Sequence, residues 1–224
     1  MKILVTSGAT REPLDDVRFL SNVSTGATGA ALADALAARG HTITLLRGTS
    51  ATMPDSVRDV AVFSSTSDLL AQLRQRVATG GYDAVIQCAA IADYTPARVT
   101  HGKISSNAPS LTVRLVPTPK ILPLIKSFVR ARSGTAAAHS PVVIGFKLTS
   151  GADTATRAAA VAKLFSAGTV DAAIHNDMAE LAIGHARPFR AFVAGRTRPE
   201  KLAGLPALVA WLDGFLLEVR MSYT

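Results

Sequence analysis

The chain carries a dense group of reactive side chains near its N-terminus, between the first apolar run and the first helical pattern. These side chains are charged, amide or hydroxyl groups: Arg11, Glu12, Asp15, Asp16, Arg18, Asn22, Ser24 and Thr25. Gly26 and Gly29 follow where the helical pattern begins. Glycines at a helix N-terminus let backbone N–H groups and the helix dipole meet a phosphate. The pattern therefore predicts a phosphate site, with close helix–strand packing as the alternative role of the two glycines.

This glycine pattern differs from the common phosphate-binding motifs. A P-loop needs Gly-Lys-Ser or Gly-Lys-Thr at the start of a helix, and neither Ser7–Thr10 nor Ser24–Gly29 supplies it. A dinucleotide fingerprint places its glycines directly after the first strand, whereas Gly26 and Gly29 come after a long insertion. Connections between a strand and a helix usually take about 2–6 residues, and longer ones are often functional.

Two further residues lie where ligand contacts are expected. Asp93 follows the apolar run Ala84–Cys88, and the carboxyl end of a strand in a parallel sheet normally opens into the ligand crevice. A turn cap is the alternative role of Asp93, and a solvated surface lysine is the alternative role of Lys103 in its polar loop. Cys88 is interpreted as a small buried hydrophobe. The five histidines lack metal-ligand spacing.

The charge balance favours anionic partners. The 224 residues include 24 lysines and arginines against 16 acidic residues, a net charge of +8. The basic residues are spread along the chain and aromatic residues make up 5% of it, whereas nucleic-acid binding needs clustered charge and aromatic stacking. Small phosphorylated ligands are therefore favoured over nucleic acid.

The apolar content excludes several classes of protein. Hydrophobic residues make up 48% of the chain, which excludes intrinsic disorder and supplies a sizeable core. No apolar run reaches the length of about 18–20 residues that a membrane span needs. The single cysteine cannot form an internal disulfide, so a reducing, cytoplasmic location is expected.

Short apolar runs alternate with helical patterns almost to the end of the chain, which is typical of a βαβ protein. The fold class expected is α/β: a Rossmann-like, doubly wound, mostly parallel sheet flanked by helices, forming a single domain over residues 1–224 with an insertion at 95–118. The predicted strands are Lys2–Thr6, His41–Leu46, Val60–Ser64, Ala84–Cys88, Leu111–Val116, Val142–Leu148, Asp171–His175 and Pro188–Val193. The predicted helices are Thr28–Arg39, Thr66–Ala78, Pro119–Val129, Thr154–Ala167 and Leu205–Arg220.

Several sequence blocks occur in a specific order. The opening block runs from Val5 to Gly29 and includes Val17-Arg18-Phe19-Leu20-Ser21-Asn22. Later blocks are Ala89–Tyr94, His101–Ser106, Thr118–Ile121, Ile144–Leu148 and Asp171–Asn176. As an ordered set, these blocks resemble the phosphopantothenate–cysteine ligase family, also called phosphopantothenoylcysteine synthetase. One block alone is weak evidence, whereas the set is specific.

The resemblance implies a ligase of coenzyme A biosynthesis that joins 4′-phosphopantothenate and L-cysteine. In that reaction the carboxylate attacks the α-phosphate of a nucleoside triphosphate and pyrophosphate leaves. The cysteine amine then displaces the nucleoside monophosphate from the acyl-nucleotidylate. The resemblance further implies CTP rather than ATP as co-substrate, Mg²⁺ carried by the nucleotide phosphates without a protein metal site, and a homodimer. No nucleic acid or membrane partner is expected.

The resemblance also assigns roles to the residues that match the family's motifs. The expected catalytic residues are Asn22, Lys103 and Arg18, with Arg18 ordering the loop that holds Asn22. The expected nucleotide-binding residues are Gly8, Ser24, Gly26, Gly29, Lys103, Pro119 and Phe146. The expected substrate-binding residues are Asn22, Ala89, Ala90, Asp93 and Asn176.

The chain departs from the family pattern where the nucleotide choice is concerned. Ser105 and Ser106 follow Ile104, where many bacterial fusion enzymes carry lysines. The lysines usual after the Phe146 block are poorly reproduced, since Lys163 is offset. The flavin-containing decarboxylase domain fused to many bacterial members has no counterpart in this sequence, so a stand-alone ligase is expected.

Two other functions remain open from the residues alone. An NADP-dependent short-chain oxidoreductase would use Arg47, at the end of the second strand, to meet a 2′-phosphate. Against it stand the displaced glycines and the absence of a Tyr-x-x-x-Lys pair. The second is a non-catalytic module that binds nucleotides, which the positive charge alone would permit.

Overall fold

The computed structural model describes residues 1–132, 140–181, 188–196 and 198–222. The strands are β1 Lys2–Ser7, β2 Arg11–Pro13, β3 Phe19–Ser21, β4 Thr42–Gly48, β5 Asp59–Phe63, β6 Ala84–Gln87, β7 Tyr94–Pro96, β8 Leu115–Pro117, β9 Val142–Thr149, β10 Ala172–Asp177, β11 Phe189–Val193 and β12 Glu200–Leu202. The α-helices are α1 Ala27–Ala37, α2 Thr66–Gly80, α3 Thr154–Phe165 and α4 Leu205–Met221, and 3₁₀ helices span Leu122–Arg132 and Met178–Leu181.

The main sheet has eight strands in the order β12-β11-β10-β9-β6-β1-β4-β5. The strands from β5 to β10 are parallel, whereas β11 and β12 run antiparallel at one edge. The chain moves outward from β1 to β4 and β5, then returns to place β6 on the other side of β1. This is the strand order of a Rossmann-like, doubly wound sheet, so the predicted fold class is confirmed.

The sheet is covered on both faces because successive side chains of a strand point to opposite faces. In β1, Ile3 and Val5 belong to the core cluster that includes Leu32 of α1 and Leu212 of α4. Leu4 belongs to the cluster on the other face, with residues from α2 and the helix Leu122–Arg132. Burial on both faces explains why the central strands read as continuous apolar runs.

The structure differs from the predicted elements around the insertion. The predicted strand Leu111–Val116 is reduced to β8, which pairs with β7 outside the main sheet. The predicted helix Pro119–Val129 is the 3₁₀ helix Leu122–Arg132. The short hairpin of β2 and β3 was not predicted, since three-residue strands show too little alternation to be recognised.

The other predicted strands and helices are present, with ends that differ by at most two residues. No helix within the described ranges combines the length and apolarity needed to cross a bilayer.

Candidate active site

The candidate site lies where the strand order reverses, at the carboxyl ends of β1 and β6. Ligands of open α/β sheets bind in the crevice at this point. The two loops that leave these strands are bonded to each other: the N–H of Ala90 donates to the carbonyl of Gly8 at 2.8 Å, and the N–H of Thr10 donates to the carbonyl of Ala90 at 3.1 Å. The N–H of Ala89 donates to Thr6 Oγ1 at 3.1 Å. The floor of the crevice is therefore held by backbone hydrogen bonds.

Ala89 and Ala90 lie in this floor, and both are half-buried. Their N–H groups are engaged by the β1 side of the crevice, and the carbonyl of Ala90 accepts from Thr10, so a ligand would meet mainly their methyl groups. Ala92 continues the same pattern, because its N–H donates to Thr10 Oγ1 at 3.0 Å.

The glycines predicted for a phosphate site come together beside β1. Gly8 and Gly26 have φ angles of +81° and +75°, in the left-handed region that favours glycine. A Cβ on Gly26 would lie 3.0 Å from the backbone N of Gly8, and a Cβ on Gly29 would lie 2.5 Å from the Cβ of Ser7. These residues thus allow α1 to approach β1 closely, and all three glycines are buried by this packing.

Two of the helices that begin at this edge, α1 and α2, differ in their N-termini. The start of α1 has Gly26 as its N-cap, with no side-chain cap and no acidic residue in its first turn. The start of α2 is capped by Ser65, and Thr66 donates from its N–H to the buried carboxylate of Glu12 at 2.9 Å. Because a carboxylate already occupies the N-terminus of α2, α1 is the better anion site.

Ser24 and Thr25, which precede α1, are exposed. The carbonyl of Thr25 accepts hydrogen bonds from the N–H of Thr52 at 2.8 Å and from Thr52 Oγ1 at 3.0 Å. These two hydrogen bonds hold the segment before α1 against the loop after β4, and Ser24 stays exposed.

Arg18 lies in an internal network that joins two distant segments. Its Nη2 donates to Asp15 Oδ2 at 2.7 Å and to the carbonyl of Ile104 at 2.6 Å. The N–H of Ile104 donates back to Asp15 Oδ2 at 3.0 Å. The Arg18 side chain and the backbone N–H of Ile104 hold the pKa of the Asp15 carboxyl well below its usual range. We name this set Asp15, Arg18 and Ile104 the hairpin clasp.

Lys103 is exposed and lies next to the clasp. Its neighbour Gly102 donates from its N–H to Asp16 Oδ2 at 2.7 Å. Thr100 donates from its N–H to the carbonyl of Leu14 at 3.0 Å. The backbone around Lys103 is therefore fixed to the β2–β3 hairpin while its ammonium group faces solvent.

Asn22 connects the same hairpin to the loop after β6. Its Nδ2 donates to the carbonyl of Ile91 at 3.1 Å, and the adjacent Ser21 donates from Oγ to the carbonyl of Thr10 at 2.8 Å. The Asn22 side chain is exposed, so its amide oxygen can still accept a hydrogen bond from a ligand.

Asp93 forms an ion pair with Lys120, and both side chains are largely exposed. The carbonyl of Asp93 also accepts from the N–H of Thr118 at 2.9 Å. Pro119 lies exposed between these partners. Lys120 was not among the predicted site residues, although it belongs to the Thr118–Ile121 block that could have drawn attention to it.

Phe146 and Asn176 lie further along the sheet, on β9 and β10. Phe146 is half-buried and packs against the core cluster that contains Val5 and Leu32. Asn176 is buried and pairs in register with Leu148, near the carboxyl end of its strand. Both residues are therefore more enclosed than the exposed Asn22.

Arg47 is engaged in a way that does not favour the NADP alternative. Its Nη1 donates to the carbonyl of Ala51 at 2.6 Å and closes the loop after β4. A 2′-phosphate site needs an arginine that is available to the ligand.

The described ranges hold no group of three or more His, Cys, Asp or Glu side chains that could bind a metal ion.

The sheet order, the switch-point crevice and the uncapped start of α1 define a Rossmann-like α/β protein with a candidate site for a phosphorylated ligand. Residues 1–195 match the model of the DNA/pantothenate metabolism flavoprotein C-terminal domain, so the chain belongs to that family.

Relatives with related sequences carry names from coenzyme A biosynthesis. The chain is 39% identical over 157 residues to the coenzyme A biosynthesis bifunctional protein CoaBC of Mycolicibacterium smegmatis, covering 67% of the chain and 36% of that protein. It is 37% identical over 152 residues to the CoaBC protein of Escherichia coli, covering 65% of the chain and 34% of that protein. The chain thus spans about a third of the length of the curated relatives it matches.

Solved structures share the fold over the whole chain. The DNA/pantothenate metabolism flavoprotein of Streptococcus pneumoniae superposes with a TM-score of 0.82 at 25% identity, covering 100% of both chains. A Cab2 mutant in complex with phosphopantothenate-cysteine superposes with a TM-score of 0.79 at 17% identity, covering 100% of this chain and 89% of that one. The similarity to the Cab2 mutant, at 17% identity, shows that the two chains share a fold.

Proposed function

We propose that this protein joins 4′-phosphopantothenate to L-cysteine, consuming a nucleoside triphosphate in coenzyme A biosynthesis. Family membership and the names of the CoaBC relatives support this assignment. The structural observation that carries it is the position of the β2–β3 hairpin across the switch point. The hairpin brings Asn22 onto Ile91 and Arg18 onto Ile104, so three motifs of the ligase family meet at one crevice.

The nucleotide phosphates are proposed to lie at the start of α1. Gly8, Gly26 and Gly29 let the start of α1 pack closely against the end of β1 and the loop after β4, and Ser24 supplies an exposed hydroxyl. A helix N-terminus without a competing carboxylate favours a triphosphate. Lys103 would add a mobile positive charge from the neighbouring segment.

The base of the nucleotide is proposed to lie toward Pro119 and Phe146. Pro119 offers an exposed apolar ring, and the ring of Phe146 is half-buried. CTP is the proposed co-substrate ahead of ATP, in keeping with the resemblance drawn from the sequence.

The pantothenate moiety is proposed to contact the floor of the crevice and the ends of β6 and β10. Ala89 and Ala90 present methyl groups, Asn176 presents an amide, and Asp93 presents a carboxylate that Lys120 neutralises. A ligand that bonds to Asp93 would compete with Lys120 for this exposed carboxylate.

In the first half-reaction a carboxylate oxygen of phosphopantothenate forms a bond to the α-phosphorus, and the bond to pyrophosphate breaks. In the second, the cysteine nitrogen forms a bond to the acyl carbon, the bond to the nucleoside monophosphate breaks, and the nitrogen loses a proton. Asn22 would orient the acyl group with its amide, and Lys103 would stabilise the charge that develops on phosphate oxygens. Arg18 would act through the hairpin clasp by ordering both segments.

Mg²⁺ is proposed to enter with the nucleotide. The described residues provide no ready set of carboxylate and imidazole ligands near the crevice. Mg²⁺ keeps several waters and is often bound through substrate phosphates with few protein ligands, so this donor set fits a metal that the phosphates carry. When bound, the ion would neutralise charge on the triphosphate.

We further propose that the protein forms a homodimer and that it acts in the cytoplasm. The segment 95–118 contributes to the β7–β8 pair outside the main sheet and has exposed apolar side chains at Val99, Leu111 and Leu115. Such side chains suit contact with a second copy.

The proposed function is tested by measuring pyrophosphate release from CTP and from ATP, with Mg²⁺, phosphopantothenate and cysteine. We expect release with at least one nucleotide, no release when phosphopantothenate is omitted, and formation of phosphopantothenoylcysteine when cysteine is present. Omission of cysteine separates activation from amide formation. If neither nucleotide yields pyrophosphate, the assignment is wrong, and nucleotide binding without turnover would favour the non-catalytic alternative.

A further inference from the structure

A second polar cluster lies at the carboxyl ends of β9 and β10, among residues to which the proposed mechanism gives no role. Its members are Thr149, Arg157, His175, Asp177, Glu180 and Arg190. His175 and Asp177 are fully buried. The cluster lies at the same edge of the sheet as the crevice, because β9 and β10 run parallel to β1 and β6.

Asp177 holds the turn that joins β9 to α3. Its carboxylate accepts from Thr149 Oγ1 at 2.5 Å and from the N–H groups of Gly151 at 2.8 Å and Ala152 at 3.2 Å. It also accepts from the N–H of Ala179 at 2.9 Å. The Thr149 hydroxyl and these N–H groups keep the pKa of Asp177 well below its usual range, so the group is an acceptor at neutral pH.

The hydrogen bonds of Thr149 determine the tautomer of His175. A hydroxyl has one hydrogen to donate, and the Asp177 carboxylate can only accept. Thr149 Oγ1 therefore donates to Asp177, and the contact of 2.9 Å between Thr149 Oγ1 and His175 Nε2 requires a hydrogen on Nε2. The other ring nitrogen, Nδ1, is buried and has no hydrogen-bond partner among the described residues. A hydrogen on Nε2 thus also avoids a buried N–H without an acceptor.

Burial and two neighbouring arginines lower the pKa of His175. Burial lowers its pKa first, and the positive charges of Arg190 on β11 and Arg157 on α3 lower it further. The carboxylates of Asp177 and Glu180 act in the opposite direction but do not reverse the shift. Both arginines are paired with Glu180, at 2.6 Å from Arg190 and 3.3 Å from Arg157. The cluster therefore satisfies its own charges, as expected of a scaffold.

We propose that Asp177 is a positioning residue of the ligase site, which holds His175 as its neutral Nε2–H tautomer through the Thr149 hydroxyl and fixes the β9–α3 turn. This inference rests on the proposed function. The turn follows the end of β9, three residues after Phe146, and Asp177 directly follows Asn176. A loose turn would let both strand ends move, which would weaken nucleotide binding in the ground state and the transition state alike. Such a change raises KM and leaves kcat nearly unchanged.

The test compares Thr149→Val, which keeps the side-chain shape without the hydroxyl, with Thr149→Ser, which keeps the hydroxyl. In the full chain labelled with ¹⁵N-histidine, we expect the His175 hydrogen on Nε2 in the wild type and in Thr149→Ser. In Thr149→Val the Nε2 resonance should shift. The KM for the nucleoside triphosphate should rise about fivefold in Thr149→Val, the effect of one lost hydrogen bond. Thr149→Ser should retain the wild-type KM.

The outcomes separate this inference from the proposed function. A hydrogen on Nδ1, or a charged His175 ring at pH 7, in the wild type would overturn the tautomer whatever the enzyme does. Ligation with an unchanged nucleotide KM in Thr149→Val would overturn the positioning role alone. Absence of ligation by the wild type would overturn the proposed function and the positioning role with it, while the spectrum would still decide the tautomer. If Thr149→Val does not fold, the wild-type spectrum and Asp177→Glu, with a longer carboxylate and the same expected rise in KM, take its place.

Discussion

The Nδ2 of Asn22 lies 3.1 Å from the carbonyl oxygen of Ile91, to which it donates a hydrogen bond across 69 residues of sequence. This bond ties the hairpin inserted after β1 to the loop that follows β6. The bond fixes the side-chain amide of Asn22. Since the residue is exposed, the side-chain oxygen Oδ1 stays available to a ligand. The proposed two-step reaction makes use of this orientation.

Replacing Asn22 by Asp should separate the two half-reactions. The substitution keeps the size of the side chain, removes the donor to Ile91 and adds a negative charge beside the proposed acyl phosphate. We expect activation to continue and transfer to cysteine to suffer most, because the acyl group would lose its orienting amide. A rapid-quench experiment that quantifies acyl-nucleotidylate and amide product would show accumulated intermediate. Equal loss of both steps would make Asn22 a general loop-ordering residue.

Replacing Lys103 by Gln should slow turnover. The ammonium group is exposed and its backbone is fixed by the hairpin, so its loss removes charge without disturbing a buried contact. We expect a loss of about 2–4 kcal/mol of transition-state stabilisation, the range found for one electrostatic donor. Steady-state kcat/KM measures this loss, with Lys201→Gln, on the exposed face of β12, as the matched control. If Lys103→Gln behaves like Lys201→Gln, Lys103 is an ordinary surface lysine.

The fold was predictable where the local pattern and the tertiary structure agree. Runs such as Ala84–Cys88 are apolar because both faces of the sheet are covered. The local apolar run and the burial of that segment in the fold therefore indicate the same strand. The hairpin clasp was not predictable from the pattern, because Asp15 and Ile104 are 89 residues apart and each is unremarkable alone. The resemblance assigned the expected roles of Arg18 and Asn22, whereas the partners that hold them required the structure.

The buried cluster around Asp177 was missed for a similar reason. The sequence Ile174-His175-Asn176-Asp177 reads as a strand end with polar residues, which suggests solvent exposure. Only the packing of α3 and β11 buries His175 and Asp177 and supplies Arg157 and Arg190.

Replacing Gly26 by Ala should destabilise the fold more than the same change at Gly40. Both glycines have positive φ angles, of +75° and +86°, so both variants bear the conformational penalty of about 1–2 kcal/mol. At Gly26 the new Cβ would also lie 2.7 Å from the Cβ of Ala51 and 3.0 Å from the N of Gly8, whereas nothing lies within 4 Å at Gly40. Urea unfolding of the two variants gives the comparison. Equal costs would contradict the close approach of α1 to β1.

Acidification should remove the stabilisation that Asp15 gives to the hairpin clasp. Because the Arg18 side chain and the Ile104 N–H lower the folded-state pKa of Asp15, its carboxylate stabilises the fold above the unfolded-state pKa. That stabilisation is lost as the pH falls from about 4 through the folded-state value. We expect Asp15→Asn to unfold more easily than the wild type at pH 7, and the difference to shrink at about pH 3.

The matched control for the clasp is Asp16→Asn. Asp16 accepts the N–H of Gly102 through one oxygen, and an asparagine oxygen can replace it. Denaturant titrations of both variants at the two pH values should therefore show a pH-dependent gap for Asp15→Asn and a smaller one for Asp16→Asn. A gap between Asp15→Asn and the wild type that does not change with pH would contradict the assigned ionisation.

The route of the reaction is tested most directly by following an oxygen atom. Phosphopantothenate labelled with ¹⁸O in its carboxylate is incubated with the protein, Mg²⁺, cysteine and the nucleoside triphosphate that supports turnover, and the phosphorus products are analysed by mass spectrometry. Attack of the carboxylate on the α-phosphorus predicts that one ¹⁸O atom appears in the nucleoside monophosphate for each molecule of phosphopantothenoylcysteine, and that pyrophosphate remains unlabelled. Label in orthophosphate, with a nucleoside diphosphate as the other product, would contradict the acyl-nucleotidylate, and absence of phosphopantothenoylcysteine would contradict the ligase assignment itself.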